Sequence, residues 1–166
     1  MINWRIFKKI KWSIEYEPSI KNVYYKDSDK NIKEILFNQI IFDFESEQKY
    51  YIEQDKDYDQ EITMVLPLGY ELNFYDEIKI SKIQTIKSFL EIIYEYYQSQ
   101  IKPDIFARAF HNNEELLDAV IYKNENNLLS IKNINSFGIV DIGYNFIGID
   151  KDDNIPNKFC VVLESK

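Results

Sequence analysis

The stretch Ser81 to Gln100, SKIQTIKSFLEIIYEYYQSQ, carries the longest helical period in the chain. Ile83, Ile86, Leu90, Ile93, Tyr94, Tyr97 and Ile101 recur at spacings of three and four, which places them on one face of a helix. Lys82, Lys87, Glu91, Glu95 and Gln98 fall on the other side. An apolar stripe of this kind must be buried, so the flanking segments have to supply a surface. Two starts are open. Ser81 with Gln84 makes a capping box, and Thr85 is a second hydroxyl cap. Pro103 is expected to end the helix, because residues before a proline avoid helical angles.

On the N-terminal side the pattern changes to period two. Ile10, Trp12, Ile14 and Tyr16 alternate with polar residues as a half-buried strand does, up to Pro18 and Ser19. Residues 32–44 fit a helix or a strand, and the β-branched and aromatic residues from Ile40 favour a strand. Tyr50 to Ile52 continues it after a turn. Ile62, Met64 and Leu66 alternate, then Tyr70, Leu72 and Phe74 do so after Pro67-Leu68-Gly69, which reads as a hairpin or a bulged strand. On the C-terminal side, Phe106 to Phe110 suggests one helical turn. Asn113-Glu114-Glu115 then starts a shorter helix running to about Lys123. Leu128 to Ile131 suggests a short strand. Residues 142–149 and 159–163 form a closing antiparallel hairpin around the Asp, Asn and Pro turn at 150–157. The pattern therefore predicts a single α+β domain over residues 1–166: an antiparallel sheet of five to seven strands, with one long and one shorter helix packed on one face.

Composition narrows the function. The chain has 166 residues, long enough to bury a core without metals or disulfides. Its net charge of −8 opposes nucleic-acid binding, which needs a basic field to displace counterions. It suits a basic protein partner. Arg5, Lys8, Lys9 and Lys11, beside Trp4 and Trp12, read as the wet face of a strand. Cys160 is the only cysteine, so no disulfide forms within the chain, which fits a reducing compartment. No apolar run has the length of a membrane span, and the N-terminus lacks the continuous apolar core of a secretory leader. These features predict a cytoplasmic protein with no membrane partner.

No chemistry-bearing pattern stands out. His111 lies in the polar turn Phe110-His111-Asn112-Asn113, which suits a surface or capping role better than an oriented catalytic base. Cys160 alternates with Phe159 and Val161 and reads as a structural thiol. Asp55, Asp57 and Asp59, and likewise Asp150, Asp152 and Asn154, begin as an EF-hand loop does. Gln60 and Ile155 then stand where that loop needs glycine. One His and one Cys do not make a zinc site of the usual ligands, though a carboxylate Mg²⁺ site stays open. The glycines, Gly69, Gly138, Gly143 and Gly148, form no phosphate loop. No cofactor is expected. The aromatic content of 16% leaves tyrosines as the interface candidates. These are Tyr96, off the helix's apolar face, and the pairs Tyr24-Tyr25 and Tyr50-Tyr51, in which one member points away from the core.

The run from Thr85 to Tyr97, TIKSFLEIIYEYY, resembles a helix opening common in uncharacterised proteins of giant, mimivirus-like DNA viruses. There a Thr cap precedes an acidic position and paired aromatics, and Ser88 stands where that pattern has Asp. Phe146-Ile147-Gly148-Ile149 and the closing Val161-Val162-Leu163-Glu164-Ser165 are similar to the final hairpin of the same proteins. The richness in Ile, Lys, Asn, Tyr and Asp, with three Ala, agrees with an AT-rich genome. The resemblance implies a viral source and no particular activity. The expectation is a non-enzymatic protein-interaction module of a large DNA virus, a virion component or host-interaction factor. The alternative is an acidic inhibitor, an immunity or anti-defence protein, that binds a basic target.

Overall fold

A computed structural model of the chain describes residues 4–26, 40–41, 61–68, 74–81, 84–99, 102–109 and 145–164. The architecture is α+β, as the periodicities predict. A 3-10 helix, Trp4–Lys9, leads into β1 (Ile10–Ser13) and β2 (Tyr24–Tyr25). Then come β3 (Ile40–Ile41), β4 (Glu61–Pro67), β5 (Tyr75–Ser81) and β6 (Gln84–Thr85). Helices α1 (Ile86–Gln98) and α2 (Pro103–Ala109) precede β7 (Asn145–Lys151) and β8 (Lys158–Glu164). The expected helix at 113–123 and strand at 128–131 lie outside the described residues.

Six strands form one sheet in the order β2-β1-β7-β8-β4-β5, and β3 pairs with β6 in a separate two-stranded ladder. Every junction is antiparallel except β4 with β8, where Met64 lies beside Phe159 in a parallel pair. One of the two hairpins expected from the sequence is present, and in the other β4 pairs with a later stretch than the one expected. Val161 pairs with Ile149 in the C-terminal one, and Met64 pairs with Ile78 in the other. β5 begins at Tyr75, beyond the strand expected over Tyr70 to Phe74, of which residues 70–73 lie outside the described residues.

α1 starts at Ile86 and not at Ser81, because Thr85 wins the capping contest. Its Oγ1 accepts the Ser88 backbone N–H at 3.0 Å, and Ser88 Oγ accepts the Thr85 N–H at 2.9 Å. Two orphan donors of the first turn are thus satisfied reciprocally. Gln84 serves the same box, since Ser88 Oγ donates to its Oε1 at 2.6 Å. The helix ends at Gln98, before Pro103, and Pro103 instead opens α2, where its missing N–H costs nothing.

The buried side chains of the strands meet α1 and the 3-10 helix. Ile86, Phe89, Leu90, Ile93 and Tyr97 form the buried stripe of α1. Phe7 is wholly buried between Phe89, at 4.4 Å between ring centroids, and Phe146 at 6.0 Å. Trp4 meets the Phe159 ring edge-on at 5.2 Å, and Trp12 lies beside Phe146 and Tyr94. Gly148 lets the 3-10 helix come this close. It sits at a register shift in β7 with φ of +148°, and a Cβ there would meet the Phe7 carbonyl oxygen at 3.3 Å.

The N-terminal basic run corrects the sequence reading. Trp4–Lys9 is helical, so Arg5, Lys8 and Lys9 stand on a 3-10 turn and only Lys11 lies on a strand. The alternation through Tyr16 also stops early. β1 ends at Ser13, where Tyr16 N–H folds back to the Ser13 carbonyl and Trp12 Nε1 donates to the Tyr16 carbonyl at 2.9 Å.

Candidate functional site

Among the described residues, two regions collect polar or exposed aromatic groups. The first is the connection between β1 and β2. Its backbone is tied internally: Ser19 N–H donates to Asn22 Oδ1 at 2.8 Å, and Asn22 Nδ2 donates to the Glu17 carbonyl at 2.7 Å. Pro18 and Val23 are buried beneath it. The chain thereby has a fixed platform flanked by two tyrosines that face solvent, Tyr16 at 61% and Tyr24 at 62% exposure. Tyr24 answers the alternation argument, since its neighbour Tyr25 packs against the core. Tyr16 escaped that argument because an unbroken strand would have turned it inward. The available signal was Pro18 two residues on, which already marks a strand end.

The second region lies where β5 meets the end of α1 and the start of α2. Asp76 is a buried carboxylate, 8% exposed, and its charge is fully engaged. Oδ1 accepts the Glu77 backbone N–H at 2.7 Å. Oδ2 accepts the Tyr96 hydroxyl at 3.0 Å and lies 3.5 Å from Lys102 Nζ. Burying such a group is tolerated only when its lone pairs are satisfied in this way. Arg108 caps the cluster from α2, with its guanidinium 4.1 Å over the Tyr75 ring and donating to the Tyr75 carbonyl. Neighbouring Tyr97 is fully buried, and its hydroxyl donates to the Pro67 carbonyl at 2.8 Å.

The electrostatics follow from this packing. Burial raises the Tyr96 phenol far above its ordinary range, and the Asp76 charge and hydrogen bond add to the rise. Burial does the same to Tyr97. Both phenols therefore hold their protons at neutral pH and act as hydrogen-bond donors. Burial also raises the Cys160 thiol, with Asp150 adding to it, so the thiolate needed for nucleophilic chemistry is scarce at neutral pH. The Lys158 ammonium is raised by its hydrogen bond to Glu77, 3.0 Å away.

The tyrosines named from the sequence thus part company. Tyr24 is exposed, Tyr25 is half-buried, and Tyr96 is half-buried and committed to Asp76. Tyr50, Tyr51, His111 and the Asp55-Asp57-Asp59 run lie outside the described residues. In the other acidic run, Asp152 Oδ1 accepts the Asn154 and Ile155 N–H groups at 2.9 and 3.1 Å, as a turn-former does. Among the described residues no three His, Cys, Asp or Glu side chains group as a metal site would need. No described helix is long and apolar enough to cross a membrane. No protein-family model matches the chain, and neither a curated protein nor a solved structure does.

Proposed function

We propose that the chain is a non-enzymatic protein-interaction module of a large DNA virus, a virion component or host-interaction factor that works in the host cytoplasm or the virion. The observation that carries this reading is the pair Tyr16 and Tyr24, each more than half exposed, on a connection whose backbone is already ordered. A tyrosine fixed in this way covers much partner surface and loses little entropy on docking, the property that enriches it at binding hot spots. The polar cluster at Asp76 supports the same reading, because its groups are spent on one another and on the backbone. The viral source rests on the resemblance of residues 85–97 and of the closing hairpin.

A second reading is favoured by the net charge of −8: an acidic inhibitor, an immunity or anti-defence protein, that holds a basic target. Rising salt separates the two. Binding through desolvated tyrosines survives an increase in ionic strength, whereas binding steered by opposite charge weakens steeply. The tagged chain, recovered from the cell that makes it in a series of salt concentrations, is the direct test. A partner retained at high salt supports the aromatic interface, and one lost with salt supports the inhibitor. Recovery of no stoichiometric partner overturns both.

A further inference from the structure

Among the described residues β5 ends the sheet, and its outer edge is covered by side chains in a specific pattern. Leu68 N–H donates to the Phe74 carbonyl at 2.9 Å, so Phe74 turns its backbone groups toward the β4 side. Antiparallel ladders alternate. Asp76, Ile78 and Ile80 therefore bond across to β4, and Tyr75, Glu77 and Lys79 direct their N–H and C=O groups the other way. Pro67 opposite Tyr75 agrees, since a proline has no N–H to give that pair. Two of these outward groups are occupied by side chains. Arg108 donates to the Tyr75 carbonyl, and Asp76 accepts the Glu77 N–H. The same Asp76 is held by Tyr96 of α1 and by Lys102 at the start of α2.

The strand beneath is self-complementary. Laid antiparallel on a second copy and centred on Ile78, β5 sets Glu77 opposite Lys79 and Lys79 opposite Glu77. Both of these are pairs whose backbone groups point outward, so they are the pairs that would exchange hydrogen bonds. Opposite charges at such positions stabilise a ladder, and like charges oppose it.

We propose that Asp76 and Arg108, with α2, form a clasp that bars the edge of β5 to an antiparallel partner strand, and that the partner it bars is β5 of a second copy of this chain. Exposed strand edges pair readily unless something covers them, and here the cover is polar, with Arg108 on a short helix and Asp76 on the strand itself. The clasp holds β5 shut at Tyr75 and Glu77, where a symmetric pairing would have to form its hydrogen bonds. This inference concerns a different edge of the sheet from the Tyr16 and Tyr24 platform and does not depend on it.

Sedimentation of the purified full chain over a concentration series tests the clasp. Arg108→Ala frees the Tyr75 carbonyl and Asp76→Ala frees the Glu77 N–H, and the double variant is expected to raise the weight-average mass toward twice that of the wild type. Adding Lys79→Glu places a carboxylate opposite Glu77 of the second copy and is expected to return the mass to the wild-type value. The swap Glu77→Lys with Lys79→Glu, on the same background and with Lys158→Ala to remove the lysine that holds Glu77 within the chain, restores the opposite-charge pairs and the higher mass. Arg108→Ala alone removes an exposed side chain and frees the Tyr75 carbonyl, and it gives a smaller gain should the double variant fail to fold. The proposal is overturned if the folded clasp variants keep the wild-type mass, or if their association ignores the charge at position 79.

Discussion

Gly148 shows how one residue decides the packing of a whole segment. Its φ of +148° is unfavourable for any side chain, and a Cβ would press on the Phe7 carbonyl. Gly148→Ala is therefore expected to cost about 1–3 kcal/mol, read as a lower urea midpoint with an unchanged slope. An unchanged midpoint would mean that the 3-10 helix does not rest on β7. None of this was legible from the glycine alone. In the sequence Gly148 marks only a strand irregularity, because the atoms it must avoid belong to residues at the far end of the chain. Tyr24 and Tyr25 were legible as a pair with one member out, since period two is a local property. Tyr96 was not. Its place off the apolar stripe implies solvent, and only the fold brings Asp76 to its hydroxyl.

At the scale of elements, the stripe of α1 is legible in the sequence, while its start stays open between two caps. Both candidate caps were visible, but a hydroxyl cap depends on where the preceding strand stops. Ser81 is the last residue of β5, paired with Glu61, so it is not available to start a helix. Thr85 is, at the end of β6, which pairs with β3. Thr85→Ala should remove one side of the box and cost about 0.5–2 kcal/mol, measured by denaturant unfolding. Ser81→Ala should cost far less. The reverse order would place the helix start one turn earlier. Phe89 stands three residues after Ile86 and four before Ile93, so the same period holds it in the buried stripe, where it carries the contact with Phe7. The hairpin β7–β8 is legible from neighbouring alternations, whereas β5 carries the charged residues Asp76, Glu77 and Lys79 and lies beyond the alternation at 70–74. The parallel pairing of β4 with β8 is not legible, because it joins segments about a hundred residues apart and nothing local encodes it.

For the whole molecule, the groups with raised ionisation share one sign. Tyr96, Tyr97 and Cys160 keep their protons longer in the folded chain than in the unfolded one, and so does Lys158. Their stabilisation is complete below the unfolded values, roughly pH 8.5 for the thiol and pH 10 for the phenols and the lysine. Above those values the unfolded chain binds fewer protons than the native one, so stability falls as pH rises toward the folded values. Urea midpoints measured from neutral pH to about pH 11 are expected to decline on the alkaline side. Tyr96→Phe should flatten that decline while lowering the neutral-pH midpoint through loss of the Asp76 hydrogen bond. A midpoint that rises with alkalinity would contradict the burial of the two phenols and the thiol.

The same scale holds the functional claim, that the chain acts by presenting Tyr16 and Tyr24 from a fixed platform. Both side chains are exposed, so Tyr16→Ala with Tyr24→Ala should leave the melting temperature nearly unchanged. The measurement that tests the claim most directly is capture from the native cell at moderate salt, with wild type and this double variant side by side. The account predicts one stoichiometric protein partner on the wild type and its loss from the folded variant. No partner on the wild type, or equal recovery on both, would contradict it.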